Sequence, residues 1–167
     1  GEGDMEFKGH PLTDEEFRAG KVITISWKPR AMYAWDTGTA IGRYLEGLKQ
    51  GKIIGTFCSK CKRVMVPPRA FCEICFREVD EYREVKDTGR VNTYSICRVS
   101  WDMKRLASPL IPAVIEIDGA SEGMGIMHLL SEVDPKSVSV GMKVRAVWKP
   151  AGEREGAITD IRYFKPL

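Results

Sequence analysis

Residues 58–75 decide the fold, with Cys58-Ser59-Lys60-Cys61 at one end and Cys72-Glu73-Ile74-Cys75 at the other. Ten residues separate the two cysteine pairs, and Pro67-Pro68 lies among them. Two C-x2-C knuckles supply four thiolates, which close a tetrahedron around zinc and leave no open position for water or substrate. The spacing therefore predicts one structural zinc ion and no metal-based catalysis. Its predicted ligands are Cys58, Cys61, Cys72 and Cys75.

Disulfide pairing is the alternative use of these cysteines, and it depends on the cellular compartment. Residues 1–5 are polar and lack the apolar core of a signal peptide. No run approaches the ~18–20 apolar residues of a membrane span. We therefore expect a cytoplasmic protein with no membrane segment, in which zinc ligation is favoured because the cytosol keeps thiols reduced.

The charge of the chain argues against a dedicated nucleic-acid binder. The formal net charge is +3 over 167 residues. Zinc ligation deprotonates four cysteines and adds a divalent ion, which lowers the charge to +1. Nucleic-acid binders concentrate basic charge on one face or arm, and no part of this chain is a basic arm.

The sequence divides into three parts, and together they predict a mainly β protein with N-terminal helices. Residues 1–51 form a helical segment, 52–88 a rubredoxin-like zinc ribbon, and 89–167 a five-stranded OB-fold barrel. The ribbon is too small to be stable through apolar burial alone, so the metal is expected to supply much of its stability.

The N-terminal part contains two predicted helices. Thr13 and Glu16 form a capping-box pattern at the start of the first helix, which Gly20 ends. Apolar residues at 3- and 4-residue spacing predict a second helix over residues 37–50. Between them lies an aromatic connector, residues 27–35, in which Pro29 argues against regular helix.

The last part contains five segments with strand character, separated by turn residues. They are predicted at residues 89–99, 111–117, 125–130, 140–148 and 157–164. A short helical turn is expected at residues 134–138, between the third and fourth strands. Five short strands with this arrangement favour a small barrel, and the position of the turn favours the OB fold.

The chain resembles the acyl-CoA-associated zinc-ribbon/OB-fold family, which is catalogued as a domain of unknown function. The matching stretches are residues 51–55 before the first knuckle, Pro67-Pro68-Arg69 before the second, 89–91 at the start of the barrel, and 140–144 in its fourth strand. The resemblance covers about residues 40–167. Members of this family accompany thiolases, hydroxymethylglutaryl-CoA synthases, MaoC-like hydratases and sterol-degrading aldolases.

The resemblance implies a non-catalytic accessory protein that docks beside a thiolase-type enzyme and helps to bind coenzyme A or its acyl thioester. The expected docking surface is the aromatic connector, with Trp27, Tyr33 and Trp35 as contact residues, together with the second helix. A short helical part cannot easily bury these side chains, and exposed apolar patches often mark interfaces. Packing against the rest of the chain is the alternative.

No residue pattern indicates an active site, so the expected catalytic set is empty. His128 lies among apolar neighbours in a predicted strand, where a structural role is favoured over catalysis. Cys97 is interpreted as an unreactive thiol and His10 as a surface residue. Known nucleotide and nucleophile motifs are not found in the sequence.

Binding of coenzyme A would require cations for its phosphates and an apolar slot for its pantetheine arm. Two groups of residues are candidates, although ordinary solvated surface is the alternative for both. The first consists of Arg98, Trp101, Lys104 and Arg105, and the second of Lys143 and Arg145. Two further functions stay open: single-stranded nucleic-acid binding, since OB folds and zinc ribbons both do this, and a purely structural interaction module.

Overall fold

The computed structural model describes residues 9–167, and the chain divides into two compact units between Trp35 and Asp36. In the first unit, α1 spans Asp14–Arg18. Its start is a capping box, in which Thr13 Oγ1 accepts from Glu16 N (3.3 Å) and the Glu16 carboxylate accepts from Thr13 N (3.1 Å). The helix start predicted from the sequence is therefore confirmed.

The rest of the first unit is neither helix nor strand from residue 21 to residue 35. Its large apolar side chains are nevertheless exposed. They are Ile23, Ile25, Trp27, Met32, Tyr33 and Trp35. The aromatic connector is therefore exposed, and the run of exposed apolar residues begins upstream of it, at Ile23.

The second helix, α2, spans Gly38–Lys49 and confirms the second helical prediction. Its face carrying Tyr44 and Leu48 is buried in the main core of its own unit. Ile41 on the same helix is exposed, so the part of α2 that stays free for docking is smaller than its whole apolar face. The prediction that α2 belongs to the docking surface stays a prediction. Within residues 9–167, no helix combines the length and the apolar character needed to cross a bilayer.

A three-stranded antiparallel sheet follows α2 and carries the cysteine knuckles. Its strands are β1 (Ile53–Cys58), β2 (Arg63–Met65) and β3 (Glu81–Val85), in the order β2-β1-β3. The first two strands lie on either side of the first knuckle. The third has charged residues at three of its five positions, which hid its strand character.

The remaining strands form a barrel. They are β4 (Thr88–Tyr94), β5 (Cys97–Val99), β6 (Arg105–Ile117), β7 (Gly125–Leu130), β8 (Lys143–Trp148) and β9 (Ile161–Pro166). The sheet order is β4-β8-β9-β7-β6-β5, and an additional β4–β6 pairing closes a ring of five strands. The parallel contact between β7 and β9 completes that ring. The predicted five-stranded barrel is confirmed.

Strand β5 is the main departure from the predicted barrel. The sequence favours one continuous strand over residues 89–99, but the chain leaves the ladder at Ser95 and resumes at Cys97. β5 then pairs only with the first part of β6, so these two strands project from the ring as a hairpin. The predicted turn at residues 134–138 is present, with Ser137 N donating to Asp134 O (2.9 Å).

Ribbon and barrel share one hydrophobic core. Leu48 of α2, Ile53 of β1 and Val66 join Ile115 and Phe164 of the barrel in a single buried cluster. A reciprocal pair of hydrogen bonds also ties the two sheets: Val64 N donates to Ser121 Oγ (2.9 Å) and Ser121 N donates to Val64 O (2.9 Å). The knuckles are therefore held on the barrel as one body within the second unit.

Candidate functional site

The four predicted zinc ligands converge on one point of the ribbon. The sulfur atoms of Cys58, Cys61, Cys72 and Cys75 all lie within 4.8 Å of one another. Cys58 and Cys72 are buried, and Cys61 and Cys75 are half-buried. Four sulfurs bound tetrahedrally at ~2.3 Å from zinc lie about 3.8 Å apart. The cluster therefore has the size that zinc requires.

The backbone of both knuckles turns in the same way. Lys62 and Phe76, which follow the second cysteine of each pair, have positive φ angles of 54° and 57°. In the second knuckle, Phe76 N donates to Cys72 O (2.9 Å) and Cys72 N donates to Arg77 O (2.8 Å). A positive φ at a non-glycine residue is uncommon, so its presence after each pair shows that the two knuckles share one backbone turn.

The thiols of this cluster have diverging acidities without a metal ion. Backbone N–H groups of Cys75 and Ile74 lower the pKa of Cys72 to about 7, whereas burial raises the pKa of Cys61 to about 12. Several thiolates packed this closely repel one another. A divalent cation at their centre removes that repulsion and favours the thiolate form, so the donor set fits zinc.

Polar contacts brace the knuckles against each other. Arg63 on β2 contacts the carboxylate of Glu73, which lies inside the second pair, at 3.0 Å. Arg69 lies 3.6 Å from the same carboxylate, and its backbone N–H donates to the buried Thr56 hydroxyl (3.1 Å). These contacts link the segment between the pairs to β1 and to the second knuckle.

The first group of coenzyme A candidates lies on the β5–β6 hairpin. Val99 pairs with Arg105, and the tip between them carries a fully exposed Trp101. Lys104 is engaged by Asp102 (2.6 Å), and Ser100 N donates to Lys104 O (2.8 Å). The hairpin therefore places the exposed Trp101 ring and the cations beside it at one end of β6.

The second group lies at the other end of β6. Arg105 at the hairpin and Glu116 near the end of this strand are eleven residues apart, which corresponds to about 36 Å of strand. Glu116 pairs with Arg90 on β4, and Arg90 in turn pairs with Lys143 on β8. The structure thus separates the predicted ligand residues into two regions.

Lys143 and Arg145 alternate along β8 with the buried residues Val144 and Ala146. The two cations therefore lie on the same, exposed side of this strand. Each of the two faces another cation across the sheet: Arg90 opposes Lys143, and Lys165 of β9 opposes Arg145. We call these four residues the cationic strand face. Like charges directly opposite each other destabilise a sheet, so this arrangement favours an anion.

Few carboxylates neutralise the cationic strand face. Lys165 contacts Glu132 (3.0 Å). For Arg90, Lys143 and Arg145, no carboxylate oxygen of residues 9–167 lies within 4.0 Å of the charged nitrogens. A cavity of about 500 Å³ adjoins this face, lined by Lys86, Arg90, Asp118, Gly119, Lys143 and Leu167. Sequence reasoning missed Arg90 and Lys165, because only strand register places them opposite the predicted pair.

His128 and Cys97, for which the sequence favours structural roles, each have a local hydrogen-bond partner. Leu129 N donates to His128 Nδ1 (2.9 Å), which leaves Nε2 to donate to Ile158 O (3.2 Å). The same ring packs edge-on against Phe164, with 5.8 Å between the centroids. The histidine thus connects β7 to the residues before β9. Cys97 lies outside the four-cysteine cluster, and its thiol donates to Ser95 Oγ (3.9 Å).

Family models match two consecutive stretches of the chain. Residues 45–81 match the ChsH2 rubredoxin-like zinc ribbon domain, and residues 82–149 match the ChsH2 C-terminal OB-fold domain. A DUF35 domain-containing scaffold protein of Methanocaldococcus jannaschii is 34% identical over 119 residues, covering 69% of this chain and 82% of the relative. The scaffold protein of the same description in Methanothermobacter thermautotrophicus is 28% identical, covering 68% and 86%.

Two solved structures have the same fold. A DUF35-family protein of unknown function from Sulfolobus solfataricus is 38% identical, with a TM-score of 0.58, and the match covers 66% of this chain and 79% of that one. A chain of the Ltp2-ChsH2(DUF35) aldolase is 23% identical, with a TM-score of 0.55, and covers 81% and 98%. At that identity the second likeness concerns the fold alone.

Proposed function

The chain belongs to the DUF35 family of zinc-ribbon and OB-fold proteins, and from this premise we propose that it is a non-catalytic scaffold for an acyl-CoA enzyme in the cytoplasm. In this proposal zinc holds the ribbon, the aromatic connector docks on a thiolase-type enzyme, and the barrel contributes to binding of coenzyme A or acyl-CoA.

The observation that carries the proposal is the contrast between the two units. The second unit has a shared core and a cluster of four cysteine thiols that fits a zinc ion. The first unit keeps its largest apolar side chains exposed, with Trp35 at 85% and Tyr33 at 78%. Exposed aromatic side chains of this kind are enriched at protein interfaces. The name scaffold protein, given to the archaeal relatives, supports the same role.

The class of partner is the finer part of the proposal. A thiolase-type enzyme is the class that the sequence resemblance implies. The aldolase neighbour shares the fold, and its name joins a DUF35 protein to an aldolase, which motivates an acyl-CoA enzyme as the first partner to test.

Binding of coenzyme A is proposed for the cationic strand face. Arg90 and Arg145 can each present a planar fork of N–H donors to phosphate oxygens, and Lys143 lies opposite Arg90 to add a third charge. Anions there would relieve the repulsion between opposing cations. The hairpin residues Arg98, Trp101, Lys104 and Arg105 form a separate candidate surface for the same ligand.

Co-purification tests the partner. The chain is co-expressed with a thiolase-type enzyme from the same genome, and the complex is isolated through a tag on the enzyme. Wild type is expected to co-purify, whereas Trp35→Ala and Tyr33→Ala should reduce recovery. Val140→Ala, which changes an exposed residue in the turn before β8, is the control. Equal recovery of all variants would contradict docking through the connector, and no recovery of wild type would contradict the partner class.

Calorimetry with acetyl-CoA tests the ligand, with the chain alone and with its complex. Heat of binding that disappears in Lys143→Gln but persists in Lys136→Gln, a cation on the turn after β7, is the expected result. Absence of heat and of any rise in melting temperature in both settings would leave the scaffold without this ligand.

Single-stranded nucleic acid is the second candidate, because the cationic strand face lies on an OB barrel, a fold that binds oligonucleotides. It predicts an affinity for a single-stranded RNA oligomer that falls steeply as salt rises. The low charge expected for the zinc-bound chain makes this the weaker candidate.

A further inference from the structure

Residues 22–27 have a strand pattern and lie outside every strand of the structure. Val22-Ile23-Thr24-Ile25-Ser26-Trp27 alternates large apolar with small polar residues after its first position. Ile23, Ile25 and Trp27 are 102%, 90% and 78% exposed. Period-two alternation of β-branched and aromatic residues is typical of a strand with one buried face. In this segment, that face is uncovered.

The main chain of this segment is also open. Within the described residues, no backbone N–H or C=O of residues 22–35 takes part in a backbone–backbone hydrogen bond. Backbone groups such as these would have to be paired if the side chains became buried. A segment with strand alternation and an unpaired backbone is suited to extending an existing sheet.

Helical docking fits this segment poorly. A helix places residues three and four apart on one side, whereas the three large side chains here are two apart. The segment is also rich in β-branched residues. Pro29, two residues after Trp27, lacks an N–H group and marks a natural end for a paired strand.

The area available is that of a specific interface. An aromatic side chain buries about 150–250 Å², so Trp27, Tyr33 and Trp35 together offer roughly 450–750 Å². Ile23 and Ile25 add to this on the upstream side. A standard interface takes about 800 Å² from each partner. Residues 22–27 and the aromatic connector are continuous, and together they offer an area of the order that one side of such an interface needs.

We propose that residues 22–27 dock by strand addition, pairing with an open sheet edge of the partner enzyme. Ile23, Ile25 and Trp27 then enter apolar pockets spaced by two residues, about 6.7 Å apart, while Thr24 and Ser26 face outward. This inference rests on the proposed scaffold function and specifies the chemistry of the partner: an unpaired strand edge flanked by apolar pockets.

Hydrogen–deuterium exchange of the full chain, free and in complex with the co-expressed thiolase-type enzyme, tests the proposal. The amides of residues 22–27 are expected to exchange rapidly in the free chain. In the complex, alternate amides should be strongly protected, because only every second N–H of a strand faces a given neighbour.

Proline substitution provides a second readout. Ile25→Pro and Ser26→Pro are compared with the matched alanine variants Ile25→Ala and Ser26→Ala. One of these two neighbouring N–H groups must face the partner, so at least one proline variant should bind roughly tenfold more weakly than its alanine control. All four variants should retain the melting temperature of the free chain, since no backbone group of residues 9–167 pairs with this segment there.

Each other outcome overturns the proposal in a distinguishable way. Protection in the free chain at every concentration would mean that the segment pairs within its own chain, and protection that rises with concentration would mean a second copy. A complex in which amides 22–27 still exchange rapidly would refute strand addition and leave the scaffold function intact. Failure of wild type to form the complex would contradict both strand addition and the proposed scaffold function.

Discussion

The sulfur atoms of Cys58 and Cys75 lie 3.6 Å apart, although seventeen positions separate the two residues in the chain. One ends β1 and the other closes the second knuckle. The spacing is close to that of two ligands on one tetrahedral zinc ion, about 3.8 Å. Long-range convergence of this kind means that metal binding and folding of the ribbon are coupled.

Zinc removal is expected to destabilise the whole second unit. Cys75→Ser should lose the metal and lower the melting temperature by roughly 10 °C or more, because the three remaining thiols are left clustered without a cation. Metal analysis should give one zinc per wild-type chain, and a strong chelator should reproduce the effect of the variant. Cys97→Ser is the matched control, and an equal loss of zinc in that variant would contradict the ligand assignment.

Alanine substitutions at two glycines of α2 should differ in their effect on thermal stability. A Cβ on Gly47 would lie 2.5 Å from Ile54 Cγ1 and 3.2 Å from the Lys52 carbonyl oxygen, so Gly47→Ala should push the helix off β1 and lower the melting temperature. Among residues 9–167, a Cβ on Gly42 would meet only the rotatable Thr37 hydroxyl, at 3.3 Å. Gly42→Ala should be neutral or stabilising by up to about 1 kcal/mol, because alanine favours helix. Thermal unfolding of both variants checks this.

Asp160 should make stability depend on acid pH. Desolvation alone would raise the pKa of this buried carboxyl, but N–H donors from Glu155, Ala157 and Gly156, together with Lys149, lower the pKa below its ordinary value. A lowered folded-state pKa means that the carboxylate contributes stability above the ordinary value of 3.8 and loses it as pH falls through the folded-state pKa.

Melting curves of wild type and Asp160→Asn from pH 7 to pH 3 measure that contribution. The asparagine amide is neutral and has one acceptor oxygen, so it cannot replace the carboxylate as acceptor for all three N–H groups. The variant should therefore melt roughly 3–10 °C lower than wild type at pH 7. The difference in melting temperature between wild type and Asp160→Asn should narrow towards pH 3. Zinc loss in acid affects both proteins, so their difference isolates the carboxyl. Glu153→Gln, an exposed change in the same loop, should leave the curve unchanged, and a constant gap at all pH values would refute the assignment.

Removal of one cation from the cationic strand face should raise the stability of the free chain and weaken its binding of coenzyme A. Without ligand, Lys143→Gln relieves its repulsion with Arg90 and is expected to raise the melting temperature slightly. With saturating coenzyme A, wild type should gain more stability than the variant, because ligand binding stabilises the native state in proportion to its affinity. Thermal shift assays at low and high salt measure both effects. A variant that is less stable alone and equally stabilised by ligand would contradict the site.

Local patterns were sufficient to predict much of this structure. The capping box at Thr13 and Glu16, the helix over residues 38–49 and the strand over residues 125–130 all appear where the sequence places them. Hydrophobic period and turn residues specify such elements without long-range information. The strand over residues 81–85 was missed because its charged residues mask the alternation, and its partner β1 supplies the stabilising contacts.

By itself, the sequence determined the four-cysteine motif, the ribbon and the five-stranded barrel, because ligand chemistry and residue period are local properties. Only the tertiary structure decided which surfaces remain free. It buried the apolar face of α2 against the core and left Ile23 and Ile25 uncovered. It also set Arg90 opposite Lys143, since strand register depends on how distant segments pack together. Burial and cross-strand neighbours arise from the packing of the whole chain, and no local pattern contains them.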